Sequence, residues 1–187
     1  EPASMTKMLT ALIVAENLVA ENLDLNTVVT IDKETANTGG STMGLKEGEK
    51  ITVKSLLYGA LLKSANDSAV ALAKAVGGSV SNFAKMMNSR AMELGAVNSN
   101  FVTPNGLPNK EHYSTAYDMA LIARAAFSNS IVRKISGTTK FTIPKTNKSA
   151  ARTVYSGNKL LYSSDKIFID GKERTLKYDG VFAGKTG

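Results

Sequence analysis

The sequence predicts an α+β domain, because helical periodicity and short β-type runs occupy different stretches of the chain. Apolar residues recur at three- and four-residue spacing through most of the first 127 positions, with one small β excursion among them. After Gly137 the pattern changes to short alternating segments. At 187 residues, 43% hydrophobic and 21% charged, the chain is long enough for one such domain to bury a core of its own.

The elements follow in order. Met5, Met8, Leu9, Leu12, Ile13 and Val19 sit at helical spacing behind Pro2, so a buried helix is expected from Ser4 to Val19. Val28 to Ile31 and Ile51 to Val53 read as short strands around a glycine-rich stretch, Gly39, Gly40, Gly44 and Gly48. Thr52 can cap a helix reaching Lys63, and Asp67 can start another that stops at Gly77-Gly78. A helix from Val80 to Leu94 ends at Gly95, and Thr115 with Asp118 caps one that runs to Phe127. Asn100 to Asn109, with Pro104 and Pro108, is an irregular connection. Beyond Gly137, strands are expected at Phe141 to Ile143, at Ile167 to Asp170 and Thr175 to Tyr178 around a Gly171-to-Arg174 turn, and at Val181 to Gly187.

Composition removes several classes of function. There is no cysteine, so disulfides and thiolate chemistry are excluded. No run of about eighteen apolar residues suggests a membrane span, and the first residues lack the basic start and small-residue cleavage site of a signal peptide. The net charge of +7 comes from 23 Lys and Arg dispersed along the chain. No basic run interleaves with aromatics, so no nucleic-acid partner is expected.

Three short motifs carry the chemistry: Ser4-Met5-Thr6-Lys7, Ser64-Ala65-Asn66 and Lys185-Thr186-Gly187. Together they read as an acyl-transfer site. A nucleophilic serine needs a base, and with one histidine, His112, little but lysine remains for that work. Ser4 and Lys7 are three apart at the start of a helix, where the hydroxyl and the amine share a face. The same spacing at Ser156 to Lys159 and Ser163 to Lys166, and the Ser156-Gly157-Asn158 triplet, fall in polar, turn-rich sequence and are set aside. No GxSxG elbow supports a triad built on His112, which is read as structural.

The motifs resemble the SxxK, SxN and KTG signature of penicillin-binding proteins and class A β-lactamases. The segments Glu1 to Leu12, Gly59 to Asp67, Asn105-Gly106-Leu107 and His112 to Ala120 extend the resemblance to the low-molecular-mass D-alanyl-D-alanine carboxypeptidases over nearly the whole chain. That resemblance implies a β-lactamase/penicillin-binding-protein transpeptidase-like fold, here its helical part and an incomplete antiparallel sheet. It implies an extracytoplasmic bacterial serine carboxypeptidase that removes the terminal D-alanine of peptidoglycan stem peptides, is acylated by β-lactams and uses no metal or organic cofactor. Ser4 would be the nucleophile, Lys7 its base, Ser64 a proton relay and Asn66 a hydrogen-bonding anchor. Lys185 and Thr186 would hold the substrate carboxylate, and Gly187 would leave room for a substrate strand. The Ser4 amide would supply one oxyanion donor.

Members of that family carry strands before the first motif and after the last, and some a membrane tether. Residues 1–187 are therefore read as one catalytic domain truncated at both ends, with weak or no turnover expected of it. A serine β-lactamase is the nearest alternative, but none of the acids between Asn66 and Lys185 sits in a Glu-x-x-x-Asn loop, and the middle triplet is Ser-Ala-Asn. A non-catalytic muropeptide- or β-lactam-binding relative is the other.

Overall fold

A strained entry opens the chain. In the computed structural model of the protein, which describes residues 1–20 and 24–187, Pro2 leads into a 3-10 turn, Ala3–Thr6, and not directly into a helix. Ala3 takes a left-handed φ of 46°, which delays regular α-geometry until Lys7. Helix α1 then runs Lys7–Ala20. The side chain of Val19, counted above among its apolar positions, lies outside what is described. Residues 7–15 of α1 are all buried, as expected of a helix apolar on every face.

Five helices surround it: α3 (Val53–Leu62), α4 (Asn66–Gly77), α5 (Val80–Glu93), α6 (Ala116–Ser128) and α7 (Ser130–Ser136). The caps follow from side-chain chemistry. Thr52 accepts from the Ser55 amide, Ser79 from Asn82 and Thr115 from Asp118, while Gly78 closes α4 at φ 73°. The short α2 (Lys33–Ala36) and α7 were not expected from the sequence. Both have a clear start: Asp32 accepts from Thr35, and Asn129 accepts from Ile131 and Val132 immediately after α6 ends.

Among the described residues the strands form three separate antiparallel pairs. β1 (Val28–Thr30) pairs with β2 (Lys50–Thr52), and β3 (Lys140–Ile143) with β4 (Arg152–Tyr155), a strand the sequence reading did not find. β5 (Lys166–Ile169) pairs with β6 (Lys172–Thr175). The turn in that last hairpin is Asp170-Gly171, both at positive φ, and not Gly171 to Arg174; the second strand is correspondingly earlier than Thr175 to Tyr178. Two residues of positive φ match the right-handed twist of the strands they join. The expected strand at Val181 to Gly187 does not form: the segment has no regular structure, and among the described residues no strand pairs with it.

Candidate active site

The site forms where the Ala3–Thr6 turn meets α1, the α3–α4 junction and the 101–106 segment. Lys7, at the first turn of α1, is fully buried. Its Nζ lies 2.9 Å from Ser4 Oγ, 2.8 Å from Asn66 Oδ1 and 2.7 Å from the Asn105 carbonyl oxygen. Burial, the charge of Lys185 close by, and a smaller opposing pull from Asp67 together lower its pKa from 10.5 to about 7.

Asn66 is the first residue of α4 and is itself pinned. Its amide nitrogen donates to Ser41 O at 2.7 Å and its Nδ2 to Gly39 O at 2.9 Å, so Oδ1 is left facing Lys7. Gly40, at φ 77°, is where the chain comes too close for a side chain; a Cβ there would stand 2.7 Å from Asn66 Nδ2. Next along, Asp67 is buried and accepts from the Met43, Leu45 and Ser68 amides, which ties the 39–45 loop to α4.

Ser64 sits in the α3–α4 junction at φ 60°, a left-handed conformation that a serine adopts at some cost. Lys185 Nζ donates to its Oγ at 2.9 Å, and burial lowers the Lys185 pKa to about 8. Thr186 and Gly187 are exposed. Thr186 Oγ1 passes close to Gly157, and Gly187 lies against Met5, the residue after Ser4, with no room for a Cβ. All seven residues expected from the sequence thus gather in one region, Ser4, Lys7 and Asn66 in direct contact and Ser64 with Lys185 beside them. The set-aside serines behave as turn residues: Ser156 Oγ accepts from the Asn158 amide and Ser163 Oγ from Asp165.

His112 is buried beside this centre, with Nε2 2.9 Å from Thr6 Oγ1 and Nδ1 accepting from the Val102 amide. Three backbone carbonyls escaped the sequence reading. The Asn105 carbonyl is a backbone acceptor, which residue type does not encode, although the Asn105-Gly106 turn marks the place. The Gly39 and Ser41 carbonyls likewise had only the glycine-rich composition as a signal. Among the described residues no three His, Cys, Asp or Glu side chains come together as a metal site.

The D-alanyl-D-alanine carboxypeptidase family profile matches residues 1–175. The chain is 41% identical to the Bacillus subtilis D-alanyl-D-alanine carboxypeptidase DacF over 190 residues, covering all of this chain and 45% of that protein. It is 34% identical to the Mycobacterium tuberculosis carboxypeptidase DacB2, again across the whole chain and 57% of the relative. The chain therefore spans about half the length of these relatives. Among solved structures, the Francisella tularensis carboxypeptidase DacD superposes with a TM-score of 0.79 at 27% identity, covering 92% of this chain and 58% of that one. A Streptomyces K15 DD-transpeptidase variant gives 0.77 at 31% identity, covering 91% and 77%. With the sequence match nearly end to end and the same fold beneath it, the chain belongs to the D-alanyl-D-alanine carboxypeptidase family.

Proposed function

We propose that this chain carries the acyl-transfer centre of a serine D-Ala-D-Ala carboxypeptidase that trims peptidoglycan stem peptides outside the cytoplasmic membrane and is acylated by β-lactams. The observation that carries the reading is Lys7, a buried amine with a pKa of about 7 in contact with the Ser4 hydroxyl. A neutral lysine has two hydrogens and one lone pair. Asn66 Oδ1 and the Asn105 carbonyl are acceptors only, so they take both hydrogens and leave the lone pair for the proton of Ser4.

In acylation, Ser4 Oγ bonds to the carbonyl carbon between the two D-alanines as its proton moves to Lys7. The C–N bond then breaks and the leaving amine takes a proton. Ser64 can relay it: its oxygen accepts from Lys185, so its own hydrogen is free to be donated onward. Water hydrolyses the resulting ester. Lys185, half-buried and cationic below about pH 8, suits the carboxylate at the end of the substrate, and Thr186 can donate beside it.

A β-lactamase would need a carboxylate to activate the deacylating water. Asp67, adjacent to the middle triplet, has its oxygens turned to the Met43, Leu45 and Ser68 amides, which favours a slow-hydrolysing adduct. The similarity to a DD-transpeptidase makes an amine the competing acyl acceptor, and product analysis with added glycine distinguishes it from water.

The test is intact mass after incubation with benzylpenicillin, with release of D-alanine from a D-Ala-D-Ala peptide followed in parallel. A one-to-one adduct absent from Ser4→Ala is expected, forming faster as pH rises through about 7, where Lys7 loses its proton. An adduct that persists in Ser4→Ala, or penicillin binding without any covalent product, would overturn the reading in favour of another nucleophile or a non-catalytic binder.

A further inference from the structure

We propose that His112 is a positioning residue of this centre: it locks the 101–106 segment to the Ala3–Thr6 turn, and so holds the carbonyl that orients Lys7 toward Ser4. The inference rests on the acyl-transfer reading of Ser4 and Lys7.

His112 is 2% exposed, and both ring nitrogens are committed. Nδ1 faces the amides of Val102 at 3.1 Å and Thr103 at 3.4 Å, so it carries no hydrogen; this network assigns the Nε2–H tautomer, which donates to Thr6 Oγ1 at 2.9 Å. Thr6 is the neighbour of Lys7 and shares a turn with Ser4. One turn further along α1, Thr10 Oγ1 donates to the Pro104 carbonyl at 2.7 Å. The segment is thus tied through His112 to Thr6 at residues 102 and 103 and directly to α1 at residue 104, and the next carbonyl, that of Asn105, meets Lys7 Nζ.

The residue after that backs the nucleophile. Gly106, at φ 81°, runs so close to Ala3 that a Cβ would stand 1.8 Å from its carbonyl oxygen. One segment therefore braces both the base, through Asn105, and the residue preceding the nucleophile, through Gly106. His112 itself is fixed on both sides: its amide donates to Asn109 O at 2.9 Å, and the Phe101 ring and the imidazole pack in a T-shaped pair. A histidine serving only the core would need none of these links to reach Lys7.

The experiment follows the ionisation of Lys7 directly, by NMR titration of protein labelled with 13C at lysine Cε, with the Lys7 signal identified by its loss in Lys7→Met. Wild type, His112→Phe, His112→Gln and Thr6→Val are compared, and the rate of benzylpenicillin acylation is measured beside them. In His112→Phe and Thr6→Val, water entering the loosened site is expected to raise the Lys7 midpoint by about half a pH unit or more. Acylation at pH 8 is expected to fall about tenfold or more in both. His112→Gln, which can still donate to Thr6, should keep roughly a third or more of the rate.

Folded Phe and Val variants with wild-type Lys7 titration and acylation within about twofold would overturn the proposal. If the Phe variant fails to fold, the nearly isosteric Thr6→Val decides. Lys7 titration is read whether or not penicillin reacts, so it judges His112 independently of the acyl-transfer reading.

Discussion

A lysine with no solvent exposure keeps its charge only where acceptors and acids compensate for lost water, and Lys7 has two neutral carbonyl-type acceptors with a second cation nearby. Folding therefore favours the neutral amine. Because its pKa is about 7 folded and about 10.5 unfolded, the unfolded chain binds more protons between those values, and stability rises with pH across that window. Below about pH 7 the penalty is present in full. Lys7→Met, which removes the charge and keeps the volume, is expected to stabilise the fold by roughly 3–5 kcal/mol at pH 6 and by progressively less toward pH 10. Urea unfolding of both proteins at pH 6, 8 and 10 measures this; a gain independent of pH would mean that Lys7 is not held neutral by the fold. The pair Ser4 and Lys7 was legible in the sequence because three-residue spacing on an apolar helix brings two side chains together whatever surrounds them. The Asn105 carbonyl was not, since a backbone acceptor is placed by the path of the chain.

Packing of α3 on α4 decides how the Ser64-Ala65-Asn66 junction is presented. Gly59, in the interior of α3, costs helix propensity relative to alanine by about 1 kcal/mol. Its value is the close approach it permits: a Cβ there would fall 2.4 Å from Met43 Sδ and 2.7 Å from Ser68 Oγ of α4, and its carbonyl accepts from the Ala65 amide. Propensity alone would make Gly59→Ala stabilising, whereas overpacking typically costs 1–3 kcal/mol. Met43 is buried and has little room to retreat, so packing is expected to win and the variant to lose about 1–2 kcal/mol. Chemical denaturation checks the sign, and a stabilised variant would show that Met43 repacks freely. Elements with a cap and a long apolar stripe, such as α3, α5 and α6, were legible for the same local reasons that form them. The helices α2 and α7 are one or two turns long and show too little periodicity to be read, although Asp32 and Asn129 mark their starts. In the hairpin, alternation located the first strand but misplaced the second; Asp170-Gly171 sets the register by supplying two residues of positive φ.

Across the molecule, the loop before β2 is tied to β4 by a buried ion pair, Glu49 with Arg152. Glu49 has no exposure, and its carboxylate takes the Arg152 guanidinium, Thr146 Oγ1 and the Lys46 amide. Arg152, on β4, also donates to the Met43 and Gly44 carbonyls, in the loop whose Met43 and Leu45 amides bind Asp67 beside Asn66. Hydrogen bonds therefore run from β4 through the 43–45 loop to Asp67, the residue that follows the partner of Lys7. None of it was legible in advance, because Glu49 and Arg152 are 103 positions apart and each alone looks like an ordinary surface charge. The expected strand at Val181 to Gly187 failed for a related reason: pairing depends on a neighbour that the segment's own residues do not specify. Removing one partner of a buried ion pair leaves the other charge uncompensated, which typically costs about 3–5 kcal/mol. Arg152 is partly exposed and retains two carbonyl acceptors, so Glu49→Ala is expected near the lower end, about 2–3 kcal/mol, with lost bonds to Thr146 and Lys46 included. Denaturant midpoints of Glu49→Ala, Arg152→Met and the double variant measure the coupling; additive losses would mean that the pair contributes nothing beyond its separate contacts. If the link also holds the 43–45 loop, Glu49→Ala will slow penicillin acylation at temperatures where it remains folded, whereas an unchanged rate would confine the pair to stability.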